Sequence, residues 1–384
     1  MALIDLWTKD RYQLVDKHVQ QVIAFAGDGK LGDDSKASYE LRLYLRNIPS
    51  DLISKYADQC LQDAFPNSGF ALQDLVNEIG RRLDFTVTHG RYRGTRSQPG
   101  HDGIWANGDH HSIVVEVKTT DAYRIDLDTI AAYRQTLAKS GAIILEKSSM
   151  LVVVGRQDTG DLEAQIRGSR HAWDMRLISV EALLRMLKLK EEVEDPSTIA
   201  RIHEILVPKE FTRLDPIVDI AFAAVEDVKQ ESEGLGGEDD ETEDKKFTPV
   251  AFHAECISQI EEKLSVTLIK QSRASFSSPD DSLKVLCAVS RFHERMKNYW
   301  FAFHPHQEKF LAAANTAYVA FGCGDAATLF LIPFGVFKPW LINFNKTEKP
   351  NRFYWHVKIR ESKGAYRITG RAGTNDIDIT EYKI

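Results

Sequence analysis

The stretch that most constrains the fold of this 384-residue chain is an acidic run at residues 231–246, ESEGLGGEDDETEDKK. The run holds eight acidic residues and three glycines, and Leu235 is its one large apolar side chain. A segment with so many like charges and so little to bury repels itself and cannot form a packed core. The sequence therefore predicts two separately folded parts that are joined by a disordered acidic linker.

The two parts differ in charge. Residues 247–384 hold 18 Lys and Arg against 13 Asp and Glu, a net charge of +5, whereas the whole chain is at −7, which leaves −12 for the remaining residues. The C-terminal part is thus the basic part, and its charge favours a polyanionic partner such as DNA.

Two features of the chain bear on its location. No apolar run approaches the ~20 residues that cross a bilayer, and charges interrupt the first residues, MALIDLWTKDRYQLVDKH, where a signal peptide has its apolar segment. We therefore expect a cytoplasmic protein without membrane contact. Four cysteines lack the C-x2-C spacing of a zinc site and predict reduced, packed thiols. They are Cys60, Cys256, Cys287 and Cys323.

The residues most suited to chemistry lie in residues 100–120, GHDGIWANGDHHSIVVEVKTT. In the second half of this stretch polar and apolar residues alternate, so Glu116 and Lys118 share one face of a strand. A turn at residues 106–111 would join this strand to the preceding one in an antiparallel hairpin and bring Asp102 beside them. The stretch therefore predicts two carboxylates and an ammonium group in one place.

Such a cluster has a clear chemical use. Two carboxylates held close together repel each other, and a hard divalent cation such as Mg²⁺ relieves that repulsion. The cation lowers the pKa of a bound water and stabilises charge on a phosphoryl oxygen, while a nearby lysine orients the water or neutralises the transition state. This chemistry suits the hydrolysis of a phosphodiester bond.

The order Asp102, a loop, and then Glu116-x-Lys118 at a strand end resembles the motif of the PD-(D/E)XK nuclease superfamily, which includes many restriction endonucleases. The resemblance covers about residues 69–190, and His101 replaces the proline of the motif. That proline does no chemistry, so the change weakens the resemblance more than the expected activity.

The resemblance implies a role for each motif residue. Asp102 and Glu116 are expected to bind Mg²⁺, with Mn²⁺ able to substitute, and the Val117 carbonyl is expected to complete the protein's ligands. Lys118 is expected to position the attacking water or help to deprotonate it.

Two weaker candidates come from the flanking helices. An amphipathic helix at residues 69–83 precedes the motif, and Glu78 best matches the acid that many family members carry there. The helix at residues 127–139 follows the motif, and family members often place its polar side chains near the site. The candidates on that helix are Tyr133, Arg134 and Gln135, of which Gln135 is selected.

The expected fold class is α/β, a restriction-endonuclease-like mixed sheet flanked by helices. After the motif, strands alternate with helices, and the apolar run SMLVVVG at residues 149–155 predicts a central strand buried on both faces. The expected organisation is a helical region at 1–65, which is a cap or a dimerisation element, a nuclease domain at 66–230, the linker at 231–246 and a β-rich domain at 247–384.

The β-rich domain contains many short strand-like segments with dense aromatic residues, and these predict a barrel-like or strongly curved sheet. Most of the aromatic side chains are expected in its core. A subset is a candidate pocket that stacks a flipped base. These four residues are Tyr299, Trp300, Trp340 and Trp355.

Basic side chains in both parts are candidates for contact with DNA phosphates, against the alternative of ordinary solvated charges. Those in the first part are Arg91, Arg93, Arg96, Arg167 and Arg170. Those in the second part are Lys297, Lys338, Arg352 and Lys358.

Together these features predict an Mg²⁺-dependent endonuclease that acts on double-stranded DNA, of the restriction or phage-defence type, whose C-terminal domain selects a sequence or a modified base. One site cuts one strand, so a homodimer is the simplest way to cut a duplex. Two alternatives stay open: a defence effector whose C-terminal domain senses a protein or small molecule, and a non-catalytic DNA-binding protein on a nuclease scaffold.

Overall fold

The structure is a computed structural model, and it describes residues 3–63, 65–94, 99–108, 111–119, 125–155, 159–193, 204–208, 214, 218, 252–294, 296–349, 352–362 and 364–384. The chain divides into two compact units, Met1–Gly234 and Leu235–Ile384. The division falls inside the acidic run, which itself lies outside the described residues. None of the described helices has the length and apolar character needed to cross a membrane.

The first unit begins with helices and continues as strands alternating with helices. The helices before the sheet are α1 (Leu3–Lys9), α2 (Tyr12–Val15), α3 (Val19–Phe25), α4 (Lys36–Arg46), α5 (Ser50–Gln62) and α6 (Ser68–Arg82). The elements that follow are β1 (Thr86–His89), β2 (Gly103–Ala106), β3 (Ser112–Lys118), α7 (Leu127–Lys139), β4 (Ser148–Val154), α8 (Gly160–Arg167), β5 (Met175–Ser179) and α9 (Val180–Glu192).

The five strands form one mixed sheet in the order β1-β2-β3-β4-β5. The pairs β1–β2 and β2–β3 are antiparallel, whereas the pairs β3–β4 and β4–β5 are parallel. All seven residues of β4 are buried, as expected for a strand that is covered by helices on both faces of the sheet. The prediction of a mixed α/β sheet with a buried central strand is confirmed.

Each face of the sheet packs into its own core. Trp105, Val115 and Val153 belong to the core that contains α6, α9 and the N-terminal helices. Val114 and Val152 belong to the core that contains α7 and α8. The N-terminal helices therefore share a core with the sheet and do not form a separate domain.

The second unit consists mainly of strands. Its helices are α10 (His253–Leu264), α11 (Pro305–Ala312) and α12 (Phe334–Phe337). Its strands are β6 (Ile269–Lys270), β7 (Ser275–Ser277), β8 (Leu283–Ser290), β9 (Phe292–His293), β10 (Asn298–Phe303), β11 (Thr316–Cys323), β12 (Leu329–Pro333), β13 (Lys346–Lys349), β14 (Arg352–Ser362), β15 (Ala365–Ile368) and β16 (Ile377–Asp378).

These strands form two sheets, not the single barrel-like sheet that the sequence predicts. The inner sheet has the order β12-β11-β8-β7-β6, and the outer sheet has the order β16-β15-β14-β10-β9 with β13 paired to β14. The sheets share an aromatic core, in which the Phe301 and Phe321 ring centroids are 4.8 Å apart. Helix α10 packs on the other face of the inner sheet through Cys256 and Ile260. Two sheets form because both faces of the inner sheet are apolar and have to be buried. The outer sheet covers one face, and α10 covers the other.

Candidate active site

Asp102 immediately precedes β2 and is held at the end of β3 by the register of the hairpin, in which Gly103 lies opposite Val115. The Asp102 backbone N–H donates to the Val115 carbonyl at 3.0 Å. Two residues further along β3, the Val117 N–H donates to Asp102 Oδ2 at 2.6 Å. The Asp102 side chain thus accepts the hydrogen bond that a backbone carbonyl of a neighbouring strand would otherwise accept. In an extended strand the C=O of a residue points to the same side as its N–H, so the Val117 carbonyl points toward Asp102.

Glu116 and Lys118 lie on the same face of β3 and contact each other. The Lys118 Nζ donates to Glu116 Oε1 at 2.6 Å. The Glu116 side chain is 9% exposed, and its Oε2 is buried without a hydrogen-bond partner among the described residues. A buried carboxylate oxygen without a partner is unfavourable, and a bound cation would remove that cost.

The side chains present fit a hard cation that takes few protein ligands. Within the described ranges, no group of three or more His, Cys, Asp or Glu side chains could hold a metal ion. The site therefore offers two carboxylates and a backbone carbonyl. Such an all-oxygen set suits Mg²⁺, which usually binds one or two carboxylates and keeps several waters.

The electrostatics of the cluster favour neutral carboxyl groups. Burial raises the pKa of Asp102 to about 8, and repulsion from Glu116 adds to the effect, while the Val117 N–H and Lys118 oppose it. Burial also raises the pKa of Glu116, again opposed by Lys118. Burial acts to lower the pKa of Lys118, but the attraction of Glu116 and Asp102 outweighs it and leaves the pKa raised. The metal-free cluster therefore retains a proton near neutral pH.

The raised pKa of Asp102 predicts that the metal-free protein loses stability as the pH rises. The folded state holds a proton that the unfolded state releases between the ordinary pKa of 3.8 and about 8, so stability falls across this window. Asp102→Asn keeps an oxygen for the Val117 N–H and removes the charge. We expect it to raise the free energy of unfolding at pH 8 by on the order of 1–2 kcal/mol, with little effect at pH 4.

Urea denaturation in EDTA at both pH values measures this difference. The exposed Asp161 supplies a control, because Asp161→Asn should change stability little at either pH. A destabilised Asp102→Asn protein at pH 8 would show that the carboxylate is not under electrostatic strain.

Helix α6 fixes the backbone of the site. Gln73 Nε2 and Asn77 Nδ2 both donate to the Asp102 carbonyl, at 3.1 and 2.8 Å. The Asn77 Oδ1 in turn accepts the Trp105 Nε1–H at 3.0 Å. A Cβ at Gly103 would lie 2.1 Å from Asn77 Oδ1, so only glycine admits this contact. These positioning residues were missed from the sequence, although two amides four residues apart share one side of a helix and are a signal for them.

The acid of α6 that acts on the site is Asp74, which sequence analysis also missed. The side chain of Asp74 is fully buried, and its Oδ1 accepts a hydrogen bond from Arg42 Nε at 2.8 Å. Its Oδ2 accepts a hydrogen bond from the Tyr92 hydroxyl at 2.5 Å. The charge of Asp74 contributes to raising the pKa of Asp102, so the two carboxylates are close enough to interact.

Glu78, the acid selected from the sequence, is occupied elsewhere. Its Oε2 accepts from Arg81 Nε at 2.9 Å and its Oε1 from Arg82 Nε at 2.8 Å. Arg82 also donates to the carbonyls of Leu45 and Ile48. Glu78 therefore belongs to a buried ion network between α6 and the α4–α5 connection, one helical turn away from Asp74, and not to the candidate site.

Helix α7 contributes Tyr133 and not Gln135. The Tyr133 hydroxyl is 3.4 Å from the position that a Cβ on Gly100 would take. Its pKa is raised by burial and then by the charge of Glu116, so Tyr133 borders the cluster. Gln135, two residues further along the helix, lines a cavity at the start of β4 together with Glu146 and other residues. The prediction for Gln135 is wrong because residues two apart on a helix point in different directions.

The candidate DNA-binding arginines of the first unit have local partners. Arg91 pairs with Asp33 at 3.3 Å, and the Arg93 guanidinium lies 5.7 Å from the centre of the Phe70 ring. Arg167 pairs with Glu163, and Arg170 pairs with Asp128 at 2.8 Å. Arg96 lies outside the described residues. These ion pairs are exposed or half-exposed, and the DNA-contact role of the arginines stays a prediction.

The candidate lysines of the second unit are scattered. Lys338 pairs with Glu308 at 3.2 Å, Lys297 is exposed in a left-handed turn with φ 48°, and Lys358 lies on β14. The side chain of Arg352 lies outside the described part of the chain.

The four aromatic residues of the predicted base pocket do not converge. Tyr299 and Trp355 pack against the core between the two sheets, and so does Trp340, whose ring contacts Phe337. Trp300 lies on the opposite face of β10, because neighbouring residues of a strand point to opposite faces. The predicted four-residue pocket is therefore wrong.

The site thus brings together Asp102, Glu116 and Lys118, with Tyr133 at its border and the charge of Asp74 acting on Asp102, and Glu78 and Gln135 lie outside it. Its chemistry has to be inferred from these side chains and their surroundings. Comparison with protein-family models returned no matching family, and comparison with curated proteins returned no similar sequence.

Proposed function

We propose that the first unit is a metal-dependent nuclease that hydrolyses phosphodiester bonds in DNA. The observation that carries this proposal is the cluster of Asp102, Glu116 and Lys118 at the end of β3, with a buried Glu116 oxygen that has no hydrogen-bond partner in the described part of the chain. Two carboxylates beside an ammonium group suit phosphodiester hydrolysis better than acyl or hydride transfer, because they can hold Mg²⁺ near a phosphate.

The order of elements around the cluster supports a relation to the PD-(D/E)XK nucleases. Helix α6 is followed by the antiparallel strands β1, β2 and β3, then by α7 and by β4, which runs parallel to β3. This is the order that the resemblance of the motif implies. The acid of α6 that acts on Asp102 is Asp74, and it takes the place that the resemblance assigns to a helix acid.

In the proposed mechanism, Asp102 and Glu116 would hold Mg²⁺, and the Val117 carbonyl would be a further oxygen ligand. When bound, Mg²⁺ would lower the pKa of a water and stabilise negative charge on the phosphate. The Lys118 ammonium orients the attacking water and offsets the charge that develops in the transition state. Gln73 and Asn77 hold the Asp102 backbone still, which keeps the two carboxylates at a fixed separation.

The direct test is incubation of the full-length protein with unmodified and methylated closed-circular plasmids, in Mg²⁺, in Mn²⁺ and in EDTA. We expect nicked or linear products with either cation and none with EDTA. Linear products without a nicked intermediate would support a homodimer, since one site cuts one strand. If the protein cleaves none of these DNAs and shows no measurable binding of Mg²⁺, the proposal is overturned.

The affinity for Mg²⁺ should depend on pH. The raised pKa of Asp102, about 8, means that a proton must leave when the cation binds. We expect the apparent affinity to rise by up to about tenfold per pH unit between pH 6 and pH 8 and to level off above it. The sign follows because protonation, which dominates at low pH, competes with the cation for the carboxylate.

Isothermal titration calorimetry without DNA measures this dependence. Repeating it in two buffers of different ionisation enthalpy gives the number of protons released, which should be close to one at pH 7. The proton release should be lost in Asp102→Asn. Mg²⁺ binding without proton release at pH 7 would contradict the assignment of Asp102 as a ligand.

A further inference from the structure

One face of the outer sheet in the second unit is turned away from the core. Along β14, Val357 and Ile359 point into the core between the sheets, so the residues between them point outward. Cross-strand partners share a face, which adds residues of β10 and β15. This outer face includes Trp300, His356, Lys358, Arg360 and Arg367, together with the buried Tyr354 and with Asp378 opposite Arg367.

The aromatic end of the outer face is rigid. The Trp300 Nε1–H donates to His356 Nδ1 at 3.1 Å, and the ring meets Tyr354 edge to face with the centroids 6.1 Å apart. Since Nδ1 accepts this hydrogen bond, it carries no proton, so the ring proton lies on Nε2, which donates to Thr347 Oγ1 at 2.8 Å. His356 is thus neutral, in keeping with a pKa lowered by burial and by Lys358. Trp300 stays half-buried in a fixed orientation.

The other end of the outer face carries positive charge that is only partly compensated. Lys358 lies directly opposite Trp300, and Arg360 lies directly opposite Arg367. Like charges in a cross-strand pair destabilise a sheet. Arg367 has Asp378 3.5 Å away, whereas Lys358 and Arg360 form no ion pair with any residue that the structure describes. A bound anion would relieve this repulsion.

We propose that the outer face binds a single-stranded segment of nucleic acid, with an unpaired base stacked on Trp300 and the following phosphates on Lys358, Arg360 and Arg367. A row of cations beside an oriented ring is the arrangement that holds a single strand, because every base has a face that can stack. In a duplex the bases are stacked on each other, so only its phosphates would bind, to the cationic side chains, and no base would stack on the Trp300 ring. The choice of DNA as the ligand rests on the proposed nuclease function.

The test is fluorescence anisotropy of the full-length protein in EDTA, where no cleavage occurs, over a range of salt concentrations. The labelled probe is a DNA strand of about 16 nucleotides, and the competitors are the same sequence as a duplex and inorganic polyphosphate. The variants are Trp300→Leu, Trp300→Phe, the pair Lys358→Gln with Arg360→Gln, and a control pair of equal charge, Lys263→Gln with Lys309→Gln, at exposed sites on α10 and α11.

We expect Trp300→Leu to weaken single-strand binding by about thirtyfold, which corresponds to the middle of the range for the loss of one stacked base. Trp300→Phe keeps a ring and should retain most of the affinity. The pair Lys358→Gln and Arg360→Gln should reduce the slope of log affinity against log salt by about 1.4, which is two contacts at ~0.7 each for a single strand. The control pair should leave the slope within error of the wild type.

Three results would overturn the proposal. They are equal losses in the control pair, tighter binding of the duplex than of the single strand, and competition by polyphosphate that matches the unlabelled strand and is insensitive to Trp300→Leu. The last would identify a plain anion patch. Because the binding is measured in EDTA, where no cleavage occurs, a failure of cleavage and a failure of this binding are separate results.

Discussion

Replacing Lys118 with alanine is expected to slow Mg²⁺-dependent DNA cleavage by about 10²–10³-fold, the usual loss when one group that stabilises a transition state is removed. Its Nζ is 2.6 Å from Glu116 Oε1, so the ammonium lies at the carboxylates that would hold the cation. The side chain is 36% exposed, and its truncation leaves no closed cavity. Single-turnover cleavage at saturating Mg²⁺ measures the effect on the chemical step.

A second lysine in the chain offers a matched control. Lys36 also pairs with a buried carboxylate, that of Glu40, at 3.6 Å, but in α4 and away from the cluster. Lys36→Ala should cleave at the wild-type rate. Lys118→Arg retains the charge but replaces a compact ammonium with a planar group, and we expect it to restore only part of the rate. Wild-type cleavage by Lys118→Ala would refute the site.

Replacing Arg82 with methionine is expected to lower the free energy of unfolding of the first unit by about 3–5 kcal/mol, the range for breaking a buried ion pair from one side. The Arg82 side chain is 2% exposed. It donates to Glu78 and to the carbonyls of Leu45 and Ile48, which connect α6 to the helices before it. The substitution leaves a buried carboxylate and buried carbonyls short of donors.

Urea denaturation followed by far-ultraviolet circular dichroism measures this loss of stability. An exposed ion pair serves as the reference for comparison. Arg185 and Glu181 lie one turn apart on α9, with side chains 46% and 44% exposed, and Arg185→Met should cost no more than about 0.5 kcal/mol. The double variant Arg82→Met with Glu78→Leu removes both buried charges and should recover part of the stability. An effect of Arg82→Met no larger than that of Arg185→Met would show that the buried network contributes little.

The motif residues could be assigned from the sequence because their placement depends on local geometry. Strand alternation alone puts Glu116 and Lys118 on one face. The short connection of the hairpin constrains Asp102 to lie against the end of β3. The buried strand β4 could be recognised in the same way, from an uninterrupted apolar run.

The choice among the residues of α6 and α7 could not be made in this way. Asp74 and Glu78 lie on the same side of α6, and which of them meets Asp102 depends on where the helix crosses the sheet. That crossing point is set by Gly80, where a Cβ would lie 2.4 Å from the Trp105 ring. The family pattern favours Glu78, whereas in the packed structure it is the charge of Asp74 that helps to raise the pKa of Asp102.

In the second unit, too, some features follow from the sequence alone and others depend on the tertiary structure. The sequence by itself determined that β10 and β14 each have two faces, so that neighbours such as Tyr299 and Trp300 lie on opposite faces, which already argued against a pocket that combined them. Only the tertiary structure decided which face is inward, because that depends on the inner sheet, whose strands lie elsewhere in the chain. Local periodicity is a property of the backbone and can be predicted from a few residues, whereas the partner that buries one face is chosen by long-range packing of the whole unit.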